Sequence, residues 1–242
     1  MIKLPLLLSE WNICTPTLFR FIPSKYVDAF FADGSLRISS FSQFHKHKDE
    51  QRLDKGEGTT MFVHHTNQKG GQSLKAWAVQ GANCYVLSTS MRHDQDLLHS
   101  FNSDSYIRIK DSTAFGMAIA RHIPHLKAGF EGTCLYQERK IIERDLGYID
   151  LAQFQDPQNP LPDIDQKEIP HSGLPLPSNN PKLTNYILSQ MGHYSMFLKD
   201  KIHAHQAEYR FIWMTTNDTE DYLDIKVPEA IQFCEKPSLI TE

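Results

Sequence analysis

Residues 17–41 read TLFRFIPSKYVDAFFADGSLRISSF, and the punctuation of this stretch decides the fold. Thr17–Ile22 is an apolar and aromatic run of strand character, ended by Pro23, which has no N–H to pass on. Ser24 stands at a capping position. Tyr26, Val27, Phe30 and Phe31 then recur at helical spacing over Lys25–Ala32. Asp33-Gly34 stops that helix, and Leu36-Arg-Ile-Ser-Ser-Phe41 returns to strand. The chain therefore opens as strand, helix, strand.

Outward from this unit, strands and helices mix without strict alternation. Trp77 and Val79 read as strand, as does Cys84-Tyr-Val-Leu87, which runs into Ser88-Thr89-Ser90. Asp94–Phe101 reads as a short helix and Tyr106–Ile109 as a strand. Asp111 caps a helix carrying Phe115, Ile119 and Ile123. Cys134–Ile142 and Tyr148-Ile149 have strand character. Leu183–Leu198 reads as a helix with Tyr186, Ile187, Met191, Tyr194 and Phe197 as its stripe. Ala207–Met214 (AEYRFIWM) is the strongest strand, Tyr222–Val227 alternates, and Ile231–Phe233 closes the sheet. The pattern predicts an α+β class with a mostly antiparallel core, as a single domain over residues 1–242. Seven of the thirteen prolines lie between Pro157 and Pro181. Proline cannot donate and fixes φ, so residues 155–181 read as a proline-rich loop or insert.

Composition narrows the function classes. Of 242 residues, 40% are hydrophobic and 11% aromatic, enough for a core and against wholesale disorder. The net charge of −4 advertises no general nucleic-acid surface. No apolar run approaches the ~20 residues of a membrane span, so no membrane contact is expected. Four scattered cysteines, without a CxxC pair, point to reduced apolar thiols and a cytoplasmic chain. No GxSxG elbow and no glycine-rich phosphate loop occurs.

Three polar marks interrupt apolar strands. Arg20 sits between Phe19 and Phe21, so the rings take one strand face and the guanidinium the other. On a cleft, that rigid fork suits a phosphate or a ribose-diphosphate; on a solvent face it means nothing. Ser88-Thr89-Ser90 puts three small hydroxyls at a strand end, able to orient a sugar or simply to close a turn. Gln206 and Glu208 would share one face of the late strand by its period of two. At a cleft floor, Glu208 could stabilise positive charge on a sugar carbon; at a strand edge it would only pair with Arg210.

The order Arg20, Ser88-Thr89-Ser90, Gln206-x-Glu208 resembles the R-S-E arrangement of ADP-ribosyltransferases. The segments LFRFIPSKYVDAFFADGSLRISSFSQF, CYVLSTS and HQAEYRFIW are similar to a widespread bacterial domain family of toxin and phage-defence loci. The resemblance implies a split, twisted, mostly antiparallel sheet with flanking helices and NAD, as substrate, in the central cleft. It implies that Arg20 holds the diphosphate or the nicotinamide ribose. Ser88 would bond the ribose and position Glu208; Thr89 and Ser90 count with it as cofactor-binding hydroxyls, Ser90 also supporting that strand end. Glu208 would bond the ribose 2′-hydroxyl as nicotinamide leaves, and Gln206 would orient the acceptor. Ser39 and Ser40 would add ribose or phosphate contacts. Phe41, Phe44 and Tyr209 are the candidates to stack nicotinamide. The implied partners are a macromolecular acceptor (RNA, DNA or protein) and an antitoxin protein. Exchanging Glu208 for Gln would then remove turnover while leaving folding nearly intact.

Two other readings remain open from the residues. His203-Ala-His205 followed by Glu208 would give metal-ligand geometry for a hydrolase or nuclease if both histidines lay on one strand face. His45-Lys-His47, beside Asp49 and Glu50, adds more ligand types. The basic residues Arg37, Lys46, Lys48, Arg52 and Lys55, near Phe41 and Phe44, would suit a catalytically inactive domain that binds nucleic acid or a partner. Asp49, Glu50, Asp54 and Glu57 offset most of that charge.

Overall fold

A computed structural model of the chain describes residues 15–41, 43, 58–65, 73–144, 151–154 and 181–237. The opening unit forms as its punctuation predicts: β1 (Leu18–Ile22), α1 (Ser24–Asp33) and β2 (Ser35–Ser40). Gly34 ends α1 in the left-handed region, at φ +79°, and its N–H returns to the Phe30 carbonyl at 2.8 Å. A Cβ here would lie 2.3 Å from the Val227 carbonyl carbon, so only glycine fits both the angle and the space. The cap differs from expectation. Ser24 does not cap with its own side chain. Its N–H and hydroxyl both donate to the Asp104 carboxylate, at 2.6 and 2.9 Å, so a distant acid supplies the acceptor.

The chain continues through β3 (Thr59–His65), β4 (Ser73–Val79), β5 (Cys84–Ser90), α2 (Gln95–Ser100), β6 (Ser105–Ile109), α3 (Ser112–Ala120), β7 (Leu126–Thr133), β8 (Leu135–Gln137) and β9 (Ile141–Arg144). It resumes with α4 (Pro181–Met191), β10 (Leu198–Asp200), β11 (Glu208–Thr215), β12 (Tyr222–Lys226) and β13 (Cys234–Glu235). Asp94 and Asp111 cap α2 and α3, accepting from Asp96 N–H and Ala114 N–H.

The main sheet runs β12-β2-β5-β1-β6-β13, with β11 along the other edge of β5 and β7 beyond it. Each pairing in it is antiparallel. The parallel pairs, β10 with β8 and β3 with β9, lie in two smaller sheets. The class is α+β with a mostly antiparallel sheet. β1 and β2 share one edge of β5. β2 takes Val86 and Tyr85, opposite Ser39 and Ser40, while β1 takes only Ser90, opposite Phe19. Between those contacts the two strands part, and among the described residues no strand pairs with that edge at Leu87, Ser88 and Thr89. α1 and α3 pack Val27, Phe30, Phe115 and Ile119 against Leu87, Ile107, Phe211 and Trp213 on one face of the sheet.

Three sequence expectations are corrected. The helix over Leu183–Leu198 ends at Met191, because Gly192 turns left-handed at φ +57°; Tyr194–Phe197 is then a 3₁₀ turn and Leu198–Asp200 a strand. Ile231–Phe233 belongs to a 3₁₀ turn, and Cys234–Glu235 closes the sheet beside β6. Cys134–Ile142 is interrupted between β8 and β9, and the long strand β7 precedes it, its glycines having hidden the strand signal. Tyr148-Ile149, most of the 155–181 segment, the HKHKDEQRLDKGE segment and Phe44 lie outside the described residues. Among those described, no helix is long and apolar enough to cross a membrane. Cys84, Cys134 and Cys234 are buried, and burial pushes the Cys84 and Cys234 thiols up to about 12.

Candidate functional site

The parting of β1 and β2 opens a cleft of about 170 Å³ over the middle of β5. Arg20, Ser39, Ser88, Thr89, Ser90, Gln206 and Glu208 all line it. Ser40 does not. It alternates with Ser39 and lies fully buried on the other face of β2, opposite Tyr85.

Glu208 is the centre of the site, and it is only 4% exposed. Its Oε1 accepts from the Ser88 hydroxyl and from Arg210 Nε, each at 2.6 Å. Its Oε2 accepts from the Lys199 ammonium. Its backbone N–H donates to the Tyr136 hydroxyl at 2.6 Å. Burial alone would push this carboxyl up, but the Arg210 guanidinium and the Lys199 ammonium outweigh it and hold the group well below the usual carboxylate range. A carboxylate offers about four acceptor positions. Three are filled, and the remaining one is on Oε2, the oxygen shared with Lys199.

β11 alternates, so Glu208 and Arg210 share a face, with Ser88 opposite Arg210 across the ladder. Arg210 is fully buried, with Nη1 on the Met196 carbonyl at 2.6 Å and its guanidinium over the Phe41 ring. Gln206 reaches the same place by another route. It ends a 3₁₀ turn, Lys201–Gln206, and Ala207 is left-handed at φ +43°. Strand alternation therefore does not align Gln206 with Glu208; Lys199 does, because its ammonium also donates to Gln206 Oε1 at 2.8 Å.

The hydroxyl triplet divides its labour. Ser88 serves the carboxylate, Thr89 donates to the Tyr209 carbonyl at 2.9 Å, and Ser90 donates to the Gln206 carbonyl at 2.7 Å. The latter two fix β5 to the strand and turn that carry Glu208 and Gln206. Arg20 arrives differently from its neighbours. Phe19 stands opposite Ser90, on the Glu208 face, whereas Arg20 stands opposite the core residue Ile107. It reaches the cleft because β1 is unpaired on that edge, and its Nη2 donates across the gap to the Arg37 carbonyl at 2.9 Å.

Sequence reasoning missed Lys199, Tyr136 and the rings at the cleft. Phe41 and Tyr209 are buried in core clusters; the aromatic residues lining the cleft are Phe19, Phe21 and Phe101. Arg210 was legible at two residues from Glu208 on a strand, but only as an edge ion-pair partner. The burial of Glu208 between Arg210 and Lys199 predicts, against the sequence expectation, that Glu208→Gln destabilises the fold. An amide there would leave two buried cations without their anion, at a cost of about 3–5 kcal/mol.

The metal reading is corrected too. His203 and His205 lie in the 3₁₀ turn, where a step of two residues rotates by about 240°, and they do not share a strand face. His203 is buried, while His205 is exposed with Nδ1 at 3.0 Å from the Ile202 carbonyl. Glu208 is committed to cations. Among the described residues no group of three or more His, Cys, Asp or Glu side chains is placed to hold a metal ion. Compared with protein-family models, curated proteins and solved structures, the chain matches none.

Proposed function

We propose that this cleft takes NAD as a substrate and that the chain transfers ADP-ribose to a macromolecule, as an ADP-ribosyltransferase of the R-S-E kind. The observation that carries the reading is the Ser88 hydroxyl on Glu208 Oε1, in one cleft with Arg20. Among the described residues the cleft's lining cations are Arg20, Arg37 and Lys199; Lys199 pairs with Glu208 and Arg37 with Asp224, so three cations face two carboxylates, a surplus that favours a diphosphate. The open acceptor position on Glu208 Oε2 suits a ribose 2′-hydroxyl. Ser88 and Arg210 hold the other oxygen, so the carboxylate needs no reorganisation as charge develops at the sugar carbon. Ser39 stands on the β2 wall for a further ribose contact. The role of a cytoplasmic toxin or phage-defence effector, restrained by an antitoxin, belongs to this same proposal.

A second reading is favoured by one observation. Arg210 and Lys199 together over-compensate Glu208, and a net cationic floor opposes an oxocarbenium-like carbon. That would suit a domain that binds a nucleotide without turning it over. Calorimetric titration with NAD and measurement of nicotinamide release separate the two. Binding with release supports transfer or hydrolysis, binding without release supports the second reading, and no binding overturns both.

A further inference from the structure

We propose that the macromolecule modified at this cleft is a single-stranded nucleic acid, laid on a strip of aromatic rings that continues the cleft across β1 and β6. The inference rests on the transfer reading above. The registers place Phe19 opposite Ser90 and Arg108, and Phe21 opposite Tyr106. These side chains therefore stand on the sheet face that carries Ser88 and Glu208.

The rings form a connected series. Phe101 stacks on Phe21 with centroids 6.1 Å apart, Phe21 meets Tyr106 at 6.2 Å, and Tyr106 meets Phe19 at 5.7 Å. His93 closes the outer end, 5.0 Å from Phe19 and 4.7 Å from Tyr106. The series begins inside the cleft and ends in solvent: Phe19 and Tyr106 are half-buried and His93 is exposed. Exposed cations border it. Arg92, next to His93, pairs with Asp94 at 2.7 Å, while Arg108 and Lys110 share a single carboxylate, Glu235, so three cations face two carboxylates. Phe21 itself is buried, so the surface offered to a strand is the half-buried Phe101, Phe19 and Tyr106 with the exposed His93; rings bordered by guanidinium and ammonium groups are what successive bases and phosphates use on single-strand binders.

The floor of the cleft points the same way. Glu208 already carries two buried cations, so an arginine or lysine acceptor would bring a third positive group beside them in a low-dielectric site. A base nitrogen or a sugar hydroxyl brings none. In the transfer, the bond from the ribose anomeric carbon to nicotinamide breaks, and its electron pair leaves with neutral nicotinamide. The acceptor nitrogen or oxygen forms the new bond to that carbon and gives its proton to solvent.

Fluorescein-labelled short single strands of DNA and RNA, titrated with the full chain, test the strip. Binding should weaken as salt rises. His93→Ala and Tyr106→Ala, both away from the core, should each weaken it about tenfold with an unchanged circular dichroism spectrum. Adenylate-labelled NAD, offered with the same strands and with an arginine-rich peptide, should label the strands. Variants that bind as well as the parent, or label entering the peptide instead, overturn the proposal. If the strands bind through these rings but nothing releases nicotinamide from NAD, the strip stands and the transfer reading is what fails.

Discussion

Over Glu208–Phe211 the two faces of β11 are built on opposite principles; at Ile212 the second face turns apolar as well. Tyr209, Phe211 and Trp213 point into the main core, where Phe211 meets Phe115 at 5.5 Å and stacks with Trp213 at 5.9 Å. Glu208 and Arg210, alternating with them, are as deeply buried but are charged. One face is held by area removed from water, which any rings of similar volume would supply. The other is held by mutual compensation, and removing a single member leaves an uncancelled charge. The apolar face is robust to kind and sensitive to volume; the charged face is sensitive to kind. That asymmetry is what a site preorganised for a ligand requires.

Five substitutions or titrations sharpen the contrast. Phe211→Ala should cost about 4 kcal/mol in urea unfolding, while Phe211→Leu costs far less. Glu208→Gln, nearly isosteric, should still cost about 3 kcal/mol, with nicotinamide release abolished. If it unfolds like the parent, the charged face does not hold the strand. Lys199→Met and Arg210→Met combined with Glu208→Leu should regain most of that stability without activity, since an apolar triad needs no compensation.

Acidity supplies the next test. Glu208 is held low in the folded chain, so its contribution is complete above the unfolded carboxylate value of about 4.3 and is lost as pH falls toward the folded value. Stability should therefore decline below about pH 4, and Glu208→Gln should flatten that decline in pH-dependent unfolding. The smallest effect belongs to Asp224→Asn. Arg37 and Asp224 are 62% and 65% exposed, and unfolding should move by less than about 0.5 kcal/mol.

Much of the fold was legible because its signals are local. Pro23 and Gly34 bracket α1, and CYVLSTS and EYRFIWM carry the strand pattern through to their ends. β7 was not, because Ala128, Gly129 and Gly132 dilute its apolar content and only pairing with β11 makes it a strand. In the site, Arg20, Ser88, Gln206 and Glu208 stood out as polar residues against apolar runs. Lys199 did not. It follows Met196-Phe-Leu198, where a helical stripe and a short strand read alike, and nothing within those few residues says that its ammonium meets Gln206 and Glu208.

By itself the sequence determined the opening strand, helix and strand and the strands over Cys84–Ser90 and Glu208–Thr215, and that these carry a guanidinium, hydroxyls and a carboxylate, since they follow from periodicity and from residues that stop or cap. Only the tertiary structure decided that β1 and β2 part along β5, that Arg20 enters through the gap, and that Glu208 lies buried between Lys199 and Arg210. Those outcomes depend on pairings between residues from 45 to 130 positions apart, and on charges whose energies are set by burial rather than by their neighbours in the chain.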